Sequence, residues 1–261
     1  MPRNVRRALI PAGGRGTRML SLTHGAPKEL LPVAGKPILV RVLEECAASG
    51  ITDALIITAP GKQAIEQSIA PLAGSGIPER IQFIVQRSPK GLADAIRLGR
   101  DFAGDEPLAV ALPDNLFRSD EPALHQVIDL YDKRQTNVVA IVKITAEEAA
   151  RRGPTAVYPG ELVGDEYRIT AIPSKGEKTS TFDTHGAAAA YTAVGRFVFE
   201  PATFPVIDEV ERSLVPGQEL DDVPVMQSLL RKHEITGRLV DGDFFDVGLI
   251  DGFREADAAF S

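Results

Sequence analysis

The sequence predicts a doubly wound α/β protein on a mixed, mostly parallel sheet, and three observations carry that expectation. Short runs rich in Ile, Val and Ala alternate with stretches of helical period. The runs are apolar on both faces, as strands covered by helices on each side must be. A glycine-rich segment follows the first run directly, and in such sheets ligands sit beyond the carboxyl ends of the strands.

The expected strands are Ala8–Ala12, Ala54–Ala59, Arg80–Gln86, Leu108–Pro113 and Asn137–Lys143. Helices are expected over Ile38–Ser49, Lys62–Leu72, Leu92–Phe102 and Ala123–Arg134. Gly50 follows the first of these, where a C-terminal glycine belongs. After about Ala150 the alternation loosens. Val157–Ile172 reads as two strands around a turn at Val163–Glu166, and Thr179–Ala190 as a loop, polar then rich in alanine. Tyr191–Phe199 reads as a strand, and Asp221–His233 and Leu249–Phe260 as helices. Glu147, Glu148, Arg151 and Arg152 read as a solvated helix face. No repeat or linker divides the chain, so one domain over 1–261 is expected.

Composition narrows the function. The chain has 261 residues, enough for a large core. Its 36 acidic and 29 basic residues give a net charge of −7, which argues against a nucleic-acid partner. A single cysteine, Cys46, excludes an internal disulfide framework and a multi-cysteine zinc site; among apolar neighbours it reads as a small core residue. His24, His125, His185 and His233 are widely spaced and form no H-x₃-H pattern. No apolar run approaches the roughly 20 residues of a membrane span. The apolar stretch after the basic MPRNVRR start is too short for a signal peptide. A cytoplasmic protein without membrane or nucleic-acid partners is expected.

The strongest local signal is Pro11-Ala12-Gly13-Gly14-Arg15-Gly16-Thr17-Arg18-Met19. Glycines let backbone approach a ligand closely and offer N–H groups to an anion. The spacing of a P-loop is absent. Arg15 and Arg18 place cations where a dinucleotide fingerprint has none, and two arginines beside backbone donors suit a triphosphate. Taken alone, the pattern is equally that of a flexible turn with surface arginines.

About ten residues on comes Pro27-Lys28-Glu29-Leu30-Leu31-Pro32-Val33-Ala34-Gly35-Lys36-Pro37. Together GGRGTRM and PKELLPVAGKP resemble the signature of sugar-1-phosphate nucleotidyltransferases, nearest to the bacterial UTP–glucose-1-phosphate uridylyltransferases. Glucose-1-phosphate thymidylyltransferases are the near relatives. The similarity is strong over about the first 115 residues and recurs in patches to the end.

The resemblance implies a Rossmann-like fold of the nucleotide-diphospho-sugar transferase type, with a small β-rich sugar-binding insertion. It divides the chain into a nucleotide-binding half, 1–145, and a sugar-phosphate half, 146–261. It implies UTP or dTTP and a hexose 1-phosphate as partners, Mg²⁺ as cofactor, and a homodimer or homotetramer. Arg18 and Lys28 would grip the triphosphate, and fixed cations there stabilise charge that grows in the transition state. Backbone at Ala12, Gly13, Gly14 and Gly91 would meet the nucleotide. Gln86, in the stretch Gln86–Ala95, would read the base, since an amide both donates and accepts. By itself Gln86 is equally a strand cap, and the GLA triplet that follows does not separate uracil from thymine. Asp114 and Asp246 would hold Mg²⁺, which takes one or two carboxylates plus phosphate oxygens. Either aspartate alone could be a turn or cap residue; the pair favours metal.

On the sugar side the match frays. The family's Glu-Lys-Pro appears as Ile172-Pro173-Ser174-Lys175-Gly176-Glu177-Lys178, so Lys175 is the expected phosphate-binding lysine, with Lys178 as the alternative. The family's Tyr-Gly step appears as Arg152-Gly153-Pro154, which assigns Gly153 to the sugar. Ala187–Ala190 stand where the family has an asparagine before Val194-Gly195-Arg196. Lost polar groups change sugar selectivity strongly. Glu219 and Asp222 read as caps of the helix that follows. Two other classes fit fewer residues. A nucleotide-sensing protein would explain the altered sugar segment but not the aspartate pair. A dinucleotide-dependent dehydrogenase would need an acidic residue at the end of Ala54–Ala59, where none stands.

Overall fold

Residues 5–88, 90–152, 157–174 and 189–261 are described by a computed structural model. The chain opens with β1 (Arg7–Pro11), the short α1 (Leu20–Thr23), a hairpin of β2 (Pro32–Val33) and β3 (Lys36–Pro37), and α2 (Ile38–Ala48). It continues through β4 (Asp53–Thr58), α3 (Gln63–Ile69), β5 (Arg80–Val85), α4 (Leu92–Arg97), α5 (Arg100–Ala103) and β6 (Leu108–Ala111). Then come β7 (Asn115–Arg118), α6 (Ala123–Arg134), β8 (Asn137–Thr145) and α7 (Ala146–Arg152). The second part holds β9 (Gly160–Val163), β10 (Glu166–Ile169), β11 (Ala189–Phe199), α8 (Thr203–Ser213), α9 (Asp222–Arg231), β12 (Ile235–Leu239), β13 (Asp243–Asp246) and α10 (Ile250–Phe260).

Nine strands form one sheet in the order β5-β4-β1-β6-β11-β8-β12-β10-β9. The first four pair in parallel, as does β8 with β12. β11 runs against both its neighbours and β10 against both of its own. The two strands that oppose the rest leave a mixed, mostly parallel sheet. β7 and β13 form a separate antiparallel ribbon.

Period-two burial sorts the strands' side chains between two cores. Along β1, Ala8 and Ile10 join one cluster and Leu9 the other; β4 divides Ala54 and Ile56 from Leu55 and Ile57 in the same way. The first face is covered by α2, α3 and α6, through residues such as Leu39, Leu43, Ile65, Leu124 and Val127. The second is covered by α4, α8 and α9, through Ile96, Phe204, Ile207 and Leu229. Both faces are buried, so the apolar runs in the sequence carry no polar stripe.

Three departures from the expected elements have physical causes. The helix expected over Leu92–Phe102 breaks after Arg97, because Gly99 passes so close to β1 that a Cβ there would lie 2.5 Å from the Leu9 side chain. The helix expected over Lys62–Leu72 is α3 followed by a tighter 3₁₀ turn, Ala70–Leu72, around Pro71. β11 begins at Ala189, so Ala189 and Ala190 are strand rather than loop, paired to Thr145 and Ile144 of β8. No sequence signal announced α1, β2, β3, β7, β12, β13 or α8. α8 buries Phe204, Val206, Ile207 and Val210, and its Pro205 sits in the first turn, where a missing N–H costs nothing.

Cys46 is fully buried in α2, and burial pushes its thiol pKa up to about 12. It should stay protonated and unreactive toward a disulfide reagent at pH 8, and titrate as one thiol per chain only after unfolding in denaturant. Rapid labelling of the native protein would contradict this placement.

Candidate active site

The carboxyl ends of β1, β4, β5 and β6 lie side by side in the sheet, and the segments leaving β1, β5 and β6 line a cleft of about 470 Å³. A larger cavity of about 590 Å³ lies by β8 and β12 and includes none of the expected site residues. The glycine turn after β1 forms one wall of the cleft. Ala12 donates its N–H back to Ile57 at 2.7 Å, so that group is spent inside the sheet. Gly13, Gly14 and Arg15 line the cleft, whereas Arg18 is exposed and outside its lining. Gly16 takes a left-handed φ of 62°, and the aliphatic stem of Lys28 lies against it.

One cation gathers this wall. Lys62 Nζ donates to the carbonyls of Ala12 and Gly14, both at 2.7 Å, and to both oxygens of Glu29 at 3.0 and 2.9 Å. Glu29 is only 1% exposed. The pair therefore ties the glycine turn, the Pro27–Pro37 segment and the end of β4 together.

Lys28 points into the cleft and donates to Asp114 Oδ2 at 2.8 Å. Asn115 Nδ2 reaches the other oxygen, Oδ1, at 3.2 Å. Asp246 ends β13, and its Oδ1 accepts from Gly248 N at 3.1 Å. A Cβ at Gly248 would lie within 3.3 Å of both aspartates, so the two carboxylates border one glycine. Val247 N donates to the Asp114 carbonyl at 2.9 Å, which fastens the two segments. Two carboxylates from different segments, one of them lining the cleft and the other beside it across Gly248, suit a hard divalent ion.

Behind Asp114 stands a fully buried cation. Arg196 Nε and Nη2 reach the two oxygens of Glu45 at 2.9 and 2.6 Å. Its remaining donors take the carbonyls of Leu112, Gly195 and Asn115. Burial is the largest single influence and works against the charged guanidinium, but the charge and hydrogen bond of Glu45, with Asp114 adding to them, together hold the pKa of Arg196 above its ordinary range. Asn115 Oδ1 accepts from Gly195 N at 2.7 Å. Gly195 is required there, because a Cβ would fall 2.4 Å from Leu112.

At the opposite end, Gln86 leaves β5 and lines the cleft with Gly91 and Leu92. Its Nε2 donates to Asp94 Oδ2 at 2.7 Å and to Gly91 O at 3.3 Å. Gly91 has φ 109°, and a Cβ there would lie 2.3 Å from Leu220 O. That close approach brings Glu219 to the cleft wall. The helix cap expected from Glu219 and Asp222 is instead Asp221, whose side chain accepts from Asp222 N. Gly153, Lys175 and Lys178 lie outside the described residues.

The family model of nucleotidyl transferases matches residues 7–261. The chain belongs to the nucleotidyl transferase family. It is 33% identical to the UTP–glucose-1-phosphate uridylyltransferase YngB of Bacillus subtilis (strain 168), over 95% of this chain and 86% of that protein. It is 31% identical to a second UTP–glucose-1-phosphate uridylyltransferase of that organism, over 96% of this chain and 89% of the other. Among solved structures it resembles a UDP-glucose pyrophosphorylase complexed with UDP-glucose, at 28% identity and TM-score 0.82, over 98% of both chains. The family resemblance and the fold read from the sequence both hold.

For this nucleotidyl transferase, sequence reading missed Lys62, Glu45, Arg196 and Asp94, and weighed Glu29 only as part of a motif. Lys62 carried a signal, since it stands just past the carboxyl end of a buried strand. Asp94 carried another, a charged residue within the apolar run Leu92–Ile96. Glu45 and Arg196 meet only in space. His125, read as isolated, lies between Glu121 and Asp129 one helical turn to either side, on exposed or half-buried positions.

Removing one partner of a buried ion pair strands the other charge. Lys62→Met should therefore destabilise the fold by about 3 kcal/mol in denaturant titration, and Lys62→Met with Glu29→Gln should recover much of the loss. Equal stability of the single variant and the parent would show that the pair does not hold this wall.

Proposed function

We propose that this chain is a cytoplasmic sugar-1-phosphate nucleotidyltransferase that joins UTP to glucose 1-phosphate, giving UDP-glucose and pyrophosphate. The observation that carries the reading is the convergence on one cleft of a glycine turn, Lys28, Asp114 and Gln86, with Asp246 at its edge, in a chain whose full-length relatives bear that activity in their names. Nucleotide would lie over Gly13 and Gly14 with its base toward Gln86 and Gly91. Its triphosphate would meet Lys28, with Arg15 and Arg18 at the mouth. An oxygen of the sugar phosphate attacks the α-phosphorus, the new P–O bond forms, and the α–β P–O bond breaks with pyrophosphate carrying off the electron pair.

No covalent intermediate on the enzyme is needed, so the residues act by position and charge. Lys28 stabilises negative charge that spreads over the phosphoryl oxygens. Asp114 and Asp246 would hold Mg²⁺, which neutralises phosphate charge when bound. Before substrate arrives, Lys28 and Asp114 compensate one another. A triphosphate arriving at Lys28 would free the Asp114 carboxylate to hold the metal, so both charges are already at the cleft. In the half beyond 146, Lys175 is the group we assign to the attacking phosphate and Gly153 to the sugar. Assembly as a homodimer or homotetramer completes the proposal.

Pyrophosphate release with Mg²⁺ should be highest with UTP and glucose 1-phosphate across a panel of nucleoside triphosphates, dTTP included, and sugar 1-phosphates. Lys28→Ala should lower kcat/KM by about 10²-fold or more. Turnover within a few fold of the parent would remove Lys28 from the chemistry. Tight UTP binding with no release from any sugar phosphate would point instead to a nucleotide sensor.

A further inference from the structure

Asp94 has no part in the chemistry above, yet among the described residues it and Glu29 are the buried acidic ones, Asp94 being 4% exposed on α4 between Ala93 and Ala95. Both of its oxygens are engaged. Oδ1 accepts from Arg97 Nη2 at 2.7 Å, and Arg97 is itself anchored to Glu211 of α8 at 2.8 Å. Oδ2 accepts from Gln86 Nε2 at 2.7 Å.

A carboxylate only accepts hydrogen bonds, so it decides which end of the Gln86 amide faces it. The NH₂ group turns to Asp94, and the Gly91 carbonyl lies on its other side at 3.3 Å. The carbonyl end is left for the cleft. Gln86 Oε1 lies 3.5 Å from the position a Cβ would take on Gly13, in the wall both residues form. The amide that could donate and accept as a free side chain is thus fixed as an acceptor.

We propose that Asp94 is a specificity-positioning residue: by locking the Gln86 amide it makes the cleft select a base whose ring nitrogen carries a hydrogen, and reject cytosine. Uracil and thymine carry N3–H and satisfy the carbonyl. Cytosine presents a lone pair at N3, which leaves two acceptors opposed and unpaired. Asp94 does not touch the base; it acts through Gln86. The inference rests on the reading that the base lies beside Gln86.

The test is the ratio of UTP to CTP dissociation constants by calorimetry, which needs no turnover. The parent should prefer UTP by tenfold or more. In Asp94→Asn, Arg97 holds the side-chain oxygen and the amide NH₂ faces Gln86, which then turns its own NH₂ to the cleft. The preference should fall about tenfold, by weaker UTP binding and tighter CTP binding together. Asp94→Ala, which removes the acceptor and adds no donor, should lower the ratio partway and covers the case of an unstable Asn variant. A merely structural lesion would weaken both nucleotides alike and leave the ratio unmoved. Gln86→Ala separates the two premises. A ratio lowered by Gln86→Ala and untouched by either Asp94 variant would overturn the lock while keeping the base beside Gln86. A ratio unmoved in every variant would show that the base lies elsewhere and overturn the inference with it. Absent turnover in the parent, with the ratio still responding to Asp94, would sink the transferase reading alone.

Discussion

The single ammonium of Lys62 is the constraint on which the cleft depends. A glycine-rich turn with few side chains of its own must find partners for its carbonyls elsewhere, most of all where they are covered. Here the carbonyls of Ala12 and Gly14 both meet Lys62. Glu29 supplies the counter-charge from the segment that also carries Lys28. Sequence neighbours thus divide the work, with one residue facing the cleft and the next fixing the wall. The cost of a buried pair is large, and its value is a turn whose shape precedes the substrate rather than following it.

The same division recurs around Asp114. Arg196 and Glu45 are both withdrawn from the cleft, and Arg196 reaches three carbonyls around Asp114 and Asn115. They set the direction of Asp114 through the backbone of the Leu112–Asn115 segment and the Asn115 amide. Gly195 permits this by letting β11 press against Leu112, and the irregular register between Val194 and Phe197 turns Arg196 inward. Two cations, the largely covered Lys62 and the fully buried Arg196, stand one under each wall and hold the side chains that face the cleft.

What the sequence made legible follows from what is local. α2 and α6 were readable, starting where expected at Ile38 and Ala123, because burial on both sheet faces leaves a plain apolar pattern. Gly13, Lys28, Gln86 and Asp114 were readable as candidates because each stands at or just past the end of such a run, or in a dense motif. The break at Gly99 was not, since its cause is the Leu9 side chain on another strand. Glu45 and Arg196 stand 151 positions apart, and nothing in either neighbourhood announces the other. The cap before α9 was misread because three acidic residues crowd that start, and the choice among them depends on how Leu220 packs against Gly91.

Gln86 shows the limit most clearly. As a residue type it fits any base edge, since its amide offers a donor and an acceptor of the same shape. Selectivity appears only when one end is tied down. The tie is a carboxylate eight positions on, buried in a helix whose start is fixed by Gly91 against the Leu220 backbone. An ambiguous side chain becomes a specific one through a neighbour that cannot donate. In the proposed mode of base recognition, selectivity therefore lies less in the residue that faces the cleft than in the buried charge that limits what that residue can offer.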